Sequence, residues 1–451
     1  MVIATKGIDW DELVQPTRVH GSLYYDPDIF EAELQKIWYR DWIFVGHESE
    51  VNDAGDYATR QIGLEPVIMT RDERGKIHLL LNRCVHRGAT VCQLESGNAS
   101  AFRCAYHGWT YRNTGELIGV PFDRAYPVSF RIDHPSLITV PRVASYRGFV
   151  FGSMSPDGLD LVEFLGGARE AIIDRLCDLS PEGEIEIRSA WVKDRTQCNW
   201  KTALDNPWGA GADHSQFTHR SVPRRSRTMP SRGVASESVP AFVEKGVREP
   251  SAESEFTDFT EWKGHDLDHG HIWTVGGADA SGAWVDIDNP HPAEKRYVAM
   301  MIDHHGEERA RKMLRDGPSH ATLWPGLFFP SNSFHVHVPV SPTETISMFN
   351  FPFLKGAPEV FNERHFRRFE GAFGPAGMIV GDDFEVWERI QRALVAERGE
   401  EWIDMSKGLA AGDEEAWLAR GGVVMVDESG HHNEFGGRHV YDLYKKMMTR
   451  P

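Results

Sequence analysis

The sequence is poor in cysteine, in long apolar runs and in positive charge. Only five of its 451 residues are Cys, too few and too uneven for a disulfide framework, which indicates a reducing compartment such as the cytoplasm. No apolar run approaches the roughly 18–20 residues of a membrane span, and the N-terminus lacks the pattern of a secretory signal. Acidic residues outnumber basic ones by 67 to 49, giving a net charge of -18, which argues against nucleic acid or anionic membranes as partners.

The length and texture of the chain predict two domains. The stretch 26–42 has the apolar spacing of an amphipathic helix, which leads into a strand at 42–46. From there to about residue 157, short strands alternate with Gly, Asn and Asp turns, the pattern of a small antiparallel β domain. One of these turns, Asp72–Gly75, predicts a hairpin. Later segments predict a strand hairpin around 341–345 and helices over 360–398. We therefore expect one domain over 40–157 and a second formed by 1–39 and 158–451.

Two short Cys/His pairs carry the clearest chemical signal. The first pair is Cys84 and His86, and the second, after an interval of 17 residues, is Cys104 and His107. Zinc fingers usually pair Cys with Cys and His with His, whereas here the two residue types alternate. Two Cys can then hold one iron and two His the other, as in a Rieske [2Fe–2S] centre. A zinc knuckle is the alternative. Cys92 lies between the pairs, and we interpret it as an ordinary small apolar residue.

The segment from Asn82 to Pro121 resembles the cluster-binding region of the large (α) subunits of Rieske non-haem iron aromatic ring-hydroxylating oxygenases. The resemblance extends over most of the chain and implies an α+β fold. In that fold, a small antiparallel β Rieske domain joins a larger catalytic domain of the helix-grip (START-like) type, whose central antiparallel sheet is flanked by helices.

A second metal site is indicated by His214 and His219 together with the adjacent carboxylates Asp382 and Asp383. Two His and one carboxylate form the facial triad of non-haem Fe(II) oxygenases. At five residues apart, the two His would lie about 140° apart on a regular α-helix, so the helix must widen or end between them. By the resemblance, the third ligand is the second of the two adjacent Asp, which is Asp383.

The resemblance also implies residues that connect the two metal sites. The family usually has an Asp three residues before the first iron-ligand His, but position 211 is Gly here. Asp213 is preferred for this bridging role because it is closest in sequence, and Asp205 is the other carboxylate available. The family's acid–Asn pair corresponds to Asp205 and Asn206.

The substrate pocket can be predicted only by position. The residues expected to line it are Asn206, Trp208, Phe217, His320, Phe373 and Met378. His335 and His337 share one strand face and either line a pocket or face solvent. His265, His269 and His271 are interpreted as a polar loop leading into a strand rather than as a metal site. Because no Arg or Lys clearly marks a carboxylate site, an apolar or weakly polar aromatic substrate is favoured.

The predicted function follows from the two sites. A Rieske cluster takes electrons from NAD(P)H through a separate reductase or ferredoxin, since the chain has no flavin or dinucleotide fingerprint, and passes them to a mononuclear Fe(II). The resemblance implies cis-dihydroxylation of an aromatic ring, in an α3 or α3β3 assembly with a small β subunit. Alternatives are a monooxygenase or oxidative demethylase on the same scaffold, a simple Rieske electron carrier, or a structural zinc protein.

Overall fold

The computed structural model describes residues 7–127, 129–130, 135–209, 218–219, 263–275, 284–330, 333–396, 401–407 and 434–450. The strands are β1 Val14–Gln15, β2 Arg18–His20, β3 Ile43–His47, β4 Asp56–Ile62, β5 Glu65–Arg71, β6 Ile77–Leu81, β7 Ser96–Asn98, β8 Ala101–Arg103, β9 Thr110–Arg112, β10 Leu117–Gly119, β11 Arg142–Tyr146, β12 Phe149–Ser153, β13 Ile185–Glu186, β14 Val192–Thr196, β15 Lys263–Asp266, β16 Ile272–Val275, β17 His320–Leu323, β18 Leu327–Pro330, β19 Phe334–Ser341, β20 Glu344–Asn350, β21 Phe353–Leu354 and β22 Trp402–Asp404.

The helices are α1 Trp10–Leu13, α2 Pro27–Glu33, α3 Leu161–Leu165, α4 Arg175–Asp178, α5 Trp200–Gly209, α6 Lys295–His305, α7 Glu307–Asp316, α8 Glu359–Phe373, α9 Met378–Leu394 and α10 Phe435–Thr449. A π-helical turn, Leu34–Trp38, continues α2, and another, Arg169–Asp174, precedes α4. Short 3-10 turns lie at Gly21–Tyr24, Glu48–Val51 and Asp123–Ala125. Within the described part of the chain, no helix is long and apolar enough to cross a bilayer.

The strands between β3 and β12 form small antiparallel sheets, as their alternating sequence predicts. Their orders are β6-β5-β4-β7, β10-β9-β8 and β11-β12-β3. The predicted hairpin between β5 and β6 is confirmed, and Asp72 explains its turn: Oδ1 accepts hydrogen bonds from the backbone N–H groups of Arg74 and Lys76, each at 2.9 Å. Gly75 has a φ of +79° at the corner, a conformation that glycine adopts at little cost.

The largest sheet among the described residues has seven antiparallel strands, in the order β14-β20-β19-β18-β17-β16-β15. The predicted hairpin is its β19–β20 turn, and α8 and α9 confirm the predicted helices over 360–398. Helices α5 and α9 contact strands of this sheet. The architecture is α+β with helices against a central sheet, as the resemblance implies.

The N- and C-terminal segments pack together beside this sheet. The helix predicted within 26–42 is confirmed and spans 27–38, although its second half is π-helical. The indole rings of Trp38, Trp200 and Trp324 form a row, with centroids 5.2 and 5.5 Å apart. Helix α10 contacts α1 and α5. Burial of these large rings packs the N-terminal segment, through Trp38, against Trp200 at the start of α5.

Two features between residues 263 and 316 differ in how well the sequence predicted them. His271 lies just before β16, where its ring bonds the Phe164 carbonyl at 2.9 Å and accepts from the Trp324 N–H at 3.0 Å. This agrees with the expected loop leading into a strand for His269 and His271, whereas His265 lies within strand β15 and not in the loop. Helices α6 and α7 were not predicted, because the segment is rich in polar residues and only Ala310 and Leu314 anchor α7 in the core.

Candidate functional site

The two Cys/His pairs lie on two loops that share one backbone design. In each loop the Cys N–H donates to the carbonyl five residues later, from Cys84 to Ala89 and from Cys104 to Trp109, both at 2.8 Å. The glycine four residues after each Cys, Gly88 or the equivalent at 108, donates back to the Cys carbonyl. Both glycines have positive φ, +75° and +73°. The loops therefore match in shape, although His follows Cys by two residues in one and by three in the other.

The cysteine and histidine side chains of these loops differ in burial. Cys84 and Cys104 are buried, 2% and 3% exposed, whereas His86 is half-buried and His107 exposed. The two imidazole centroids are 4.6 Å apart, so the two histidines are neighbours at the outer edge of the site. No three His, Cys, Asp or Glu side chains in the described residues form a group suited to a single metal ion. Paired thiols inside and paired imidazoles outside fit the two irons of a Rieske cluster.

Neighbouring aromatic side chains fix these residues. Trp109 stacks on His86 at 4.7 Å with an interplanar angle of 5°. The Tyr111 hydroxyl lies 3.2 Å from the Cys84 sulfur. Burial and the neighbouring Cys84 raise the pKa of Tyr111, so its hydroxyl keeps its proton and can donate to a thiolate. Hydrogen bonds to ligand sulfurs tune reduction potential. Cys92 instead packs in the adjoining apolar cluster, consistent with its interpretation as a core residue.

The second site brings together residues from distant parts of the sequence. Nε2 of His219 is 3.4 Å from Oδ1 of Asp383, and Nδ1 of the same ring is 3.5 Å from Oδ2 of Asp382. His219 and Asp383 are buried, whereas Asp382 is half-buried. Metal bonds of roughly 2.1 Å place neighbouring ligand atoms about 3 Å apart. The His219–Asp383 pair therefore fits a single iron, and its donor set is the one expected for non-haem Fe(II).

Only some of the other residues predicted for this site lie in the described part of the chain. Asp213, His214 and Phe217 lie outside the described residues. Asn206 and Trp208 lie in α5, and Met378 begins α9.

Helix α9, which carries Asp383, is tied to the start of α5. The side chain of Gln391 accepts from the Asn199 N–H at 2.8 Å and donates to the Tyr24 carbonyl at 3.1 Å. The Asn199 side chain in turn accepts from the Lys201 N–H at 3.0 Å. These bonds fix the start of α5 against the helix that carries Asp383.

A buried charged network supports α5 and was not predicted from the sequence. Glu33 accepts from the Lys201 ammonium at 2.5 Å, from the Trp200 indole at 2.8 Å and from the Tyr444 hydroxyl at 2.7 Å. Lys201 and Glu33 are fully buried. Burial lowers the pKa of Lys201 while Glu33 opposes that change. No local sequence signal marks this pair, because the acidic partner of Lys201 lies 168 residues away.

Asp205, one of the two predicted bridging carboxylates, accepts hydrogen bonds from two tyrosines. The Tyr24 hydroxyl donates to Oδ2 at 2.7 Å and the Tyr441 hydroxyl to Oδ1 at 3.2 Å, and the two hydroxyls also contact each other. Burial raises the pKa of Asp205 to about 6, although these hydrogen bonds lower it. The Asp205 carboxylate is therefore bound by two tyrosines of its own chain.

The predicted pocket residues His320 and Phe373 each contact an aromatic or histidine ring of the large sheet: the ring of His320 lies 5.0 Å from Phe328, and Phe373 packs on His335. The ring of His335 lies 4.4 Å from Phe373, and that of His337 lies 5.9 Å from Trp387. Trp387 is one helical turn beyond Asp383. His335 and His337 are buried, so of the two possibilities left open by the sequence, both face the interior.

Comparisons with known proteins agree with this geometry. Residues 41–144 match the Rieske [2Fe-2S] domain. The large subunit of 2-halobenzoate 1,2-dioxygenase from Burkholderia cepacia is 31% identical over 411 residues, covering 87% of this chain and 80% of that protein. Toluate 1,2-dioxygenase subunit alpha from Pseudomonas putida is also 31% identical, covering 89% and 85%. The fold superposes on naphthalene 1,2-dioxygenase with indole bound in its active site, at a TM-score of 0.77 and 24% identity over 98% and 95% of the two chains.

These findings decide the class of the protein. It is an oxidoreductase that carries a Rieske [2Fe–2S] cluster and a mononuclear iron, and electrons from NAD(P)H reach it through partner proteins. It is a dioxygenase, an assignment that fits its relatives better than a monooxygenase, an electron carrier or a zinc protein does. The chain belongs to the large (α) subunits of the Rieske non-haem iron aromatic ring-hydroxylating dioxygenases.

Proposed function

We propose that His214, His219 and Asp383 hold the mononuclear iron of this dioxygenase and that substrate binds between this iron and the large sheet. The separation of 3.4 Å between His219 Nε2 and Asp383 Oδ1 is the observation that carries the proposal. The iron supplies O2 activation, and this chain supplies the buried ligands and the aromatic wall that orients a ring. Asn206, Trp208, Phe217, His320, Phe373 and Met378 are the proposed pocket residues.

The cluster ligands and domain limits form the second part of the proposal. Cys84 and Cys104 hold one iron of the cluster, and His86 and His107 hold the other. The Rieske domain spans 40–157, and the catalytic domain consists of 1–39 and 158–451. Burial of both Cys, with the imidazoles at the surface, supports this assignment.

We further propose a trimer, α3 or α3β3, in which the cluster of one subunit faces the iron of the next. The surface beside His107 supports such an interface. Tyr106 is 60% exposed and Phe122 is 88% exposed. Phe122 also has a φ of +55°. This backbone conformation is uncommon for a bulky residue, and such conformations cluster at functional sites. Its neighbour Pro121 packs against the ligand loop at Gly108. A reductase or ferredoxin and a small β subunit complete the system, in the cytoplasm.

The interface can be tested with Phe122→Asp. We expect the purified protein to dissociate in sedimentation experiments and to lose multiple-turnover activity while keeping its cluster absorption, because a charged side chain opposes burial of this patch. Leu94→Asp is the control, since Leu94 is also exposed, at 66%. Unchanged sedimentation and turnover in Phe122→Asp would place the interface elsewhere.

The chemistry is tested by product analysis under 18O2, with the reduced protein, a reductase and a panel of aromatic substrates. Two labels in one cis-diol are expected. One label, or a dealkylated product, would contradict dihydroxylation while leaving both metal sites as assigned. Asp383→Ala in the same assay should give no labelled product.

A further inference from the structure

Three histidines line the sheet opposite the proposed iron site. His335 and His337 alternate along β19 and so point to the same face, and His320 lies on β17 of the same sheet. His335 is paired with Phe328 on one side and Phe349 on the other. The His335 and His337 rings are 6.4 Å apart. Imidazoles thus interrupt an otherwise aromatic wall.

Burial makes these imidazoles neutral. It lowers the pKa of His337 to about 3, that of His320 to about 4 and that of His335 well below its usual range. Each neutral ring then offers one N–H donor and one acceptor nitrogen. Buried polar groups lower stability unless they find a hydrogen-bond partner, and an apolar side chain would fill these positions at less cost. A bound ligand that uses the ring nitrogens of His335 and His337 would offset this cost.

Partners within the chain account for part of this hydrogen-bonding capacity. Nδ1 of His337 is 2.9 Å from the Ser347 hydroxyl across the β19–β20 ladder, which orients the ring. Nε2 of His335 is 3.4 Å from the Ser333 hydroxyl, a long contact that a ligand can replace. His337 contacts Trp387 of α9, the helix that carries Asp383, and His335 contacts Phe373, the last residue of α8, which precedes that helix.

We propose, on the basis of the function proposed above, that His335 and His337 bind a carboxylate substituent of the aromatic substrate and so orient its ring toward the iron. A carboxylate offers two acceptor oxygens side by side, which suits two N–H donors on rings 6.4 Å apart better than one hydroxyl or amine does. Two neutral His and one carboxylate leave Fe(II) with a net positive charge, which also favours an anion nearby. His320 extends the polar face. The substrate class is an aromatic acid, in place of the apolar ring that the sequence favoured.

The test compares arenes that differ only in this substituent. For the holoenzyme with its reductase, we expect kcat/KM to be higher for benzoate than for toluene, and likewise for 1-naphthoate over 1-methylnaphthalene. His337→Phe and His335→Phe should each raise the KM for the acid by about 10- to 100-fold, the effect of losing one charge-assisted hydrogen bond. The KM for the hydrocarbon should hold or fall. His337→Asn, which keeps a donor, should recover part of the affinity for the acid.

His365→Phe is the matched control. His365 is also buried between aromatic rings, with ring centroids 4.3 Å from Phe361 and 5.2 Å from Trp284. Unlike His335 and His337, it lies on helix α8 and not on strand β19. Its replacement should leave the acid-to-hydrocarbon ratio unchanged. Cluster absorption and iron content establish that each variant is folded and loaded.

The outcomes separate the two proposals. If the wild-type enzyme oxidises hydrocarbons but not acids, prefers the amide or phenol of the same ring, or keeps its ratio in both His→Phe variants, the carboxylate site is wrong and the dioxygenase assignment stands. If no aromatic compound of either kind is oxidised by the loaded enzyme, the proposed function itself fails.

Discussion

His219 and Asp383, separated by 164 residues of sequence, meet with Nε2 and Oδ1 3.4 Å apart. Asp383→Ala should remove the mononuclear iron and abolish turnover, because two imidazoles alone bind Fe(II) weakly, while the visible spectrum of the cluster persists. Iron analysis and O2 consumption measure the effect. Asp382→Ala is the matched control, since this half-buried neighbour faces the other ring nitrogen. Equal iron loss in both variants would leave the choice between the two carboxylates open, and an active Asp383→Ala would contradict the ligand assignment.

The buried thiols of the two loops lead to a second prediction. Cys84→Ser and Cys104→Ser should each yield a colourless protein, because serine replaces the thiolate that holds the cluster iron. Visible absorption and electron paramagnetic resonance of the reduced protein are the measurements. Cys92→Ser should stay coloured, although Cys92 is as buried as the other two. A coloured Cys84→Ser protein would overturn the assignment.

The buried Lys201–Glu33 pair makes a third prediction, about stability. Lys201→Met should lower the free energy of unfolding by about 3–5 kcal/mol, because it leaves Glu33 charged and buried without its partner. The double variant Lys201→Met/Glu33→Gln should recover much of that loss. Denaturant unfolding followed by tryptophan fluorescence gives both values. A single variant as stable as the wild type would show that the pair contributes little.

Asp205 gives a fourth prediction, about pH. Its pKa rises from 3.8 to about 6 in the folded protein, so between these values the native state keeps a proton that the unfolded chain has lost. The free energy of unfolding should therefore fall as pH rises from about 4 to 6, by at most about 3 kcal/mol from this group, and level off above. Asp205→Asn should flatten that part of the profile. Parallel profiles for both proteins in urea unfolding would contradict the assignment.

The cluster loops show how much of this site the sequence could predict. Cys84, His86, Cys104 and His107 lie within 24 residues of one another, so residue type and spacing alone indicated their chemistry. The inward direction of the thiols was not predictable, because it depends on the sheets against which the loops pack. The hairpin at Asp72 was predicted for the same local reason, since its turn is closed by its own side chain.

The contacts that support α5 and α9 could not be predicted from the sequence. Glu33, Tyr24 and Tyr441 carry no motif of their own, and they reach Lys201 and Asp205 only because the chain termini pack beside the large sheet. The role of His335 and His337 was equally open, since strand alternation gives a shared face without saying whether that face is inside. The packing of α8 and α9 against this face is what places it inside the protein.

Each ligand loop closes its own backbone hydrogen bonds, from Cys84 to Ala89 and from Cys104 to Trp109. The interval between the two loops is therefore set by strands β7 and β8 and not by the metal. In evolution, that interval can lengthen or shorten without disturbing either loop. Distant homologues are then better aligned loop by loop than by the spacing of all four ligands.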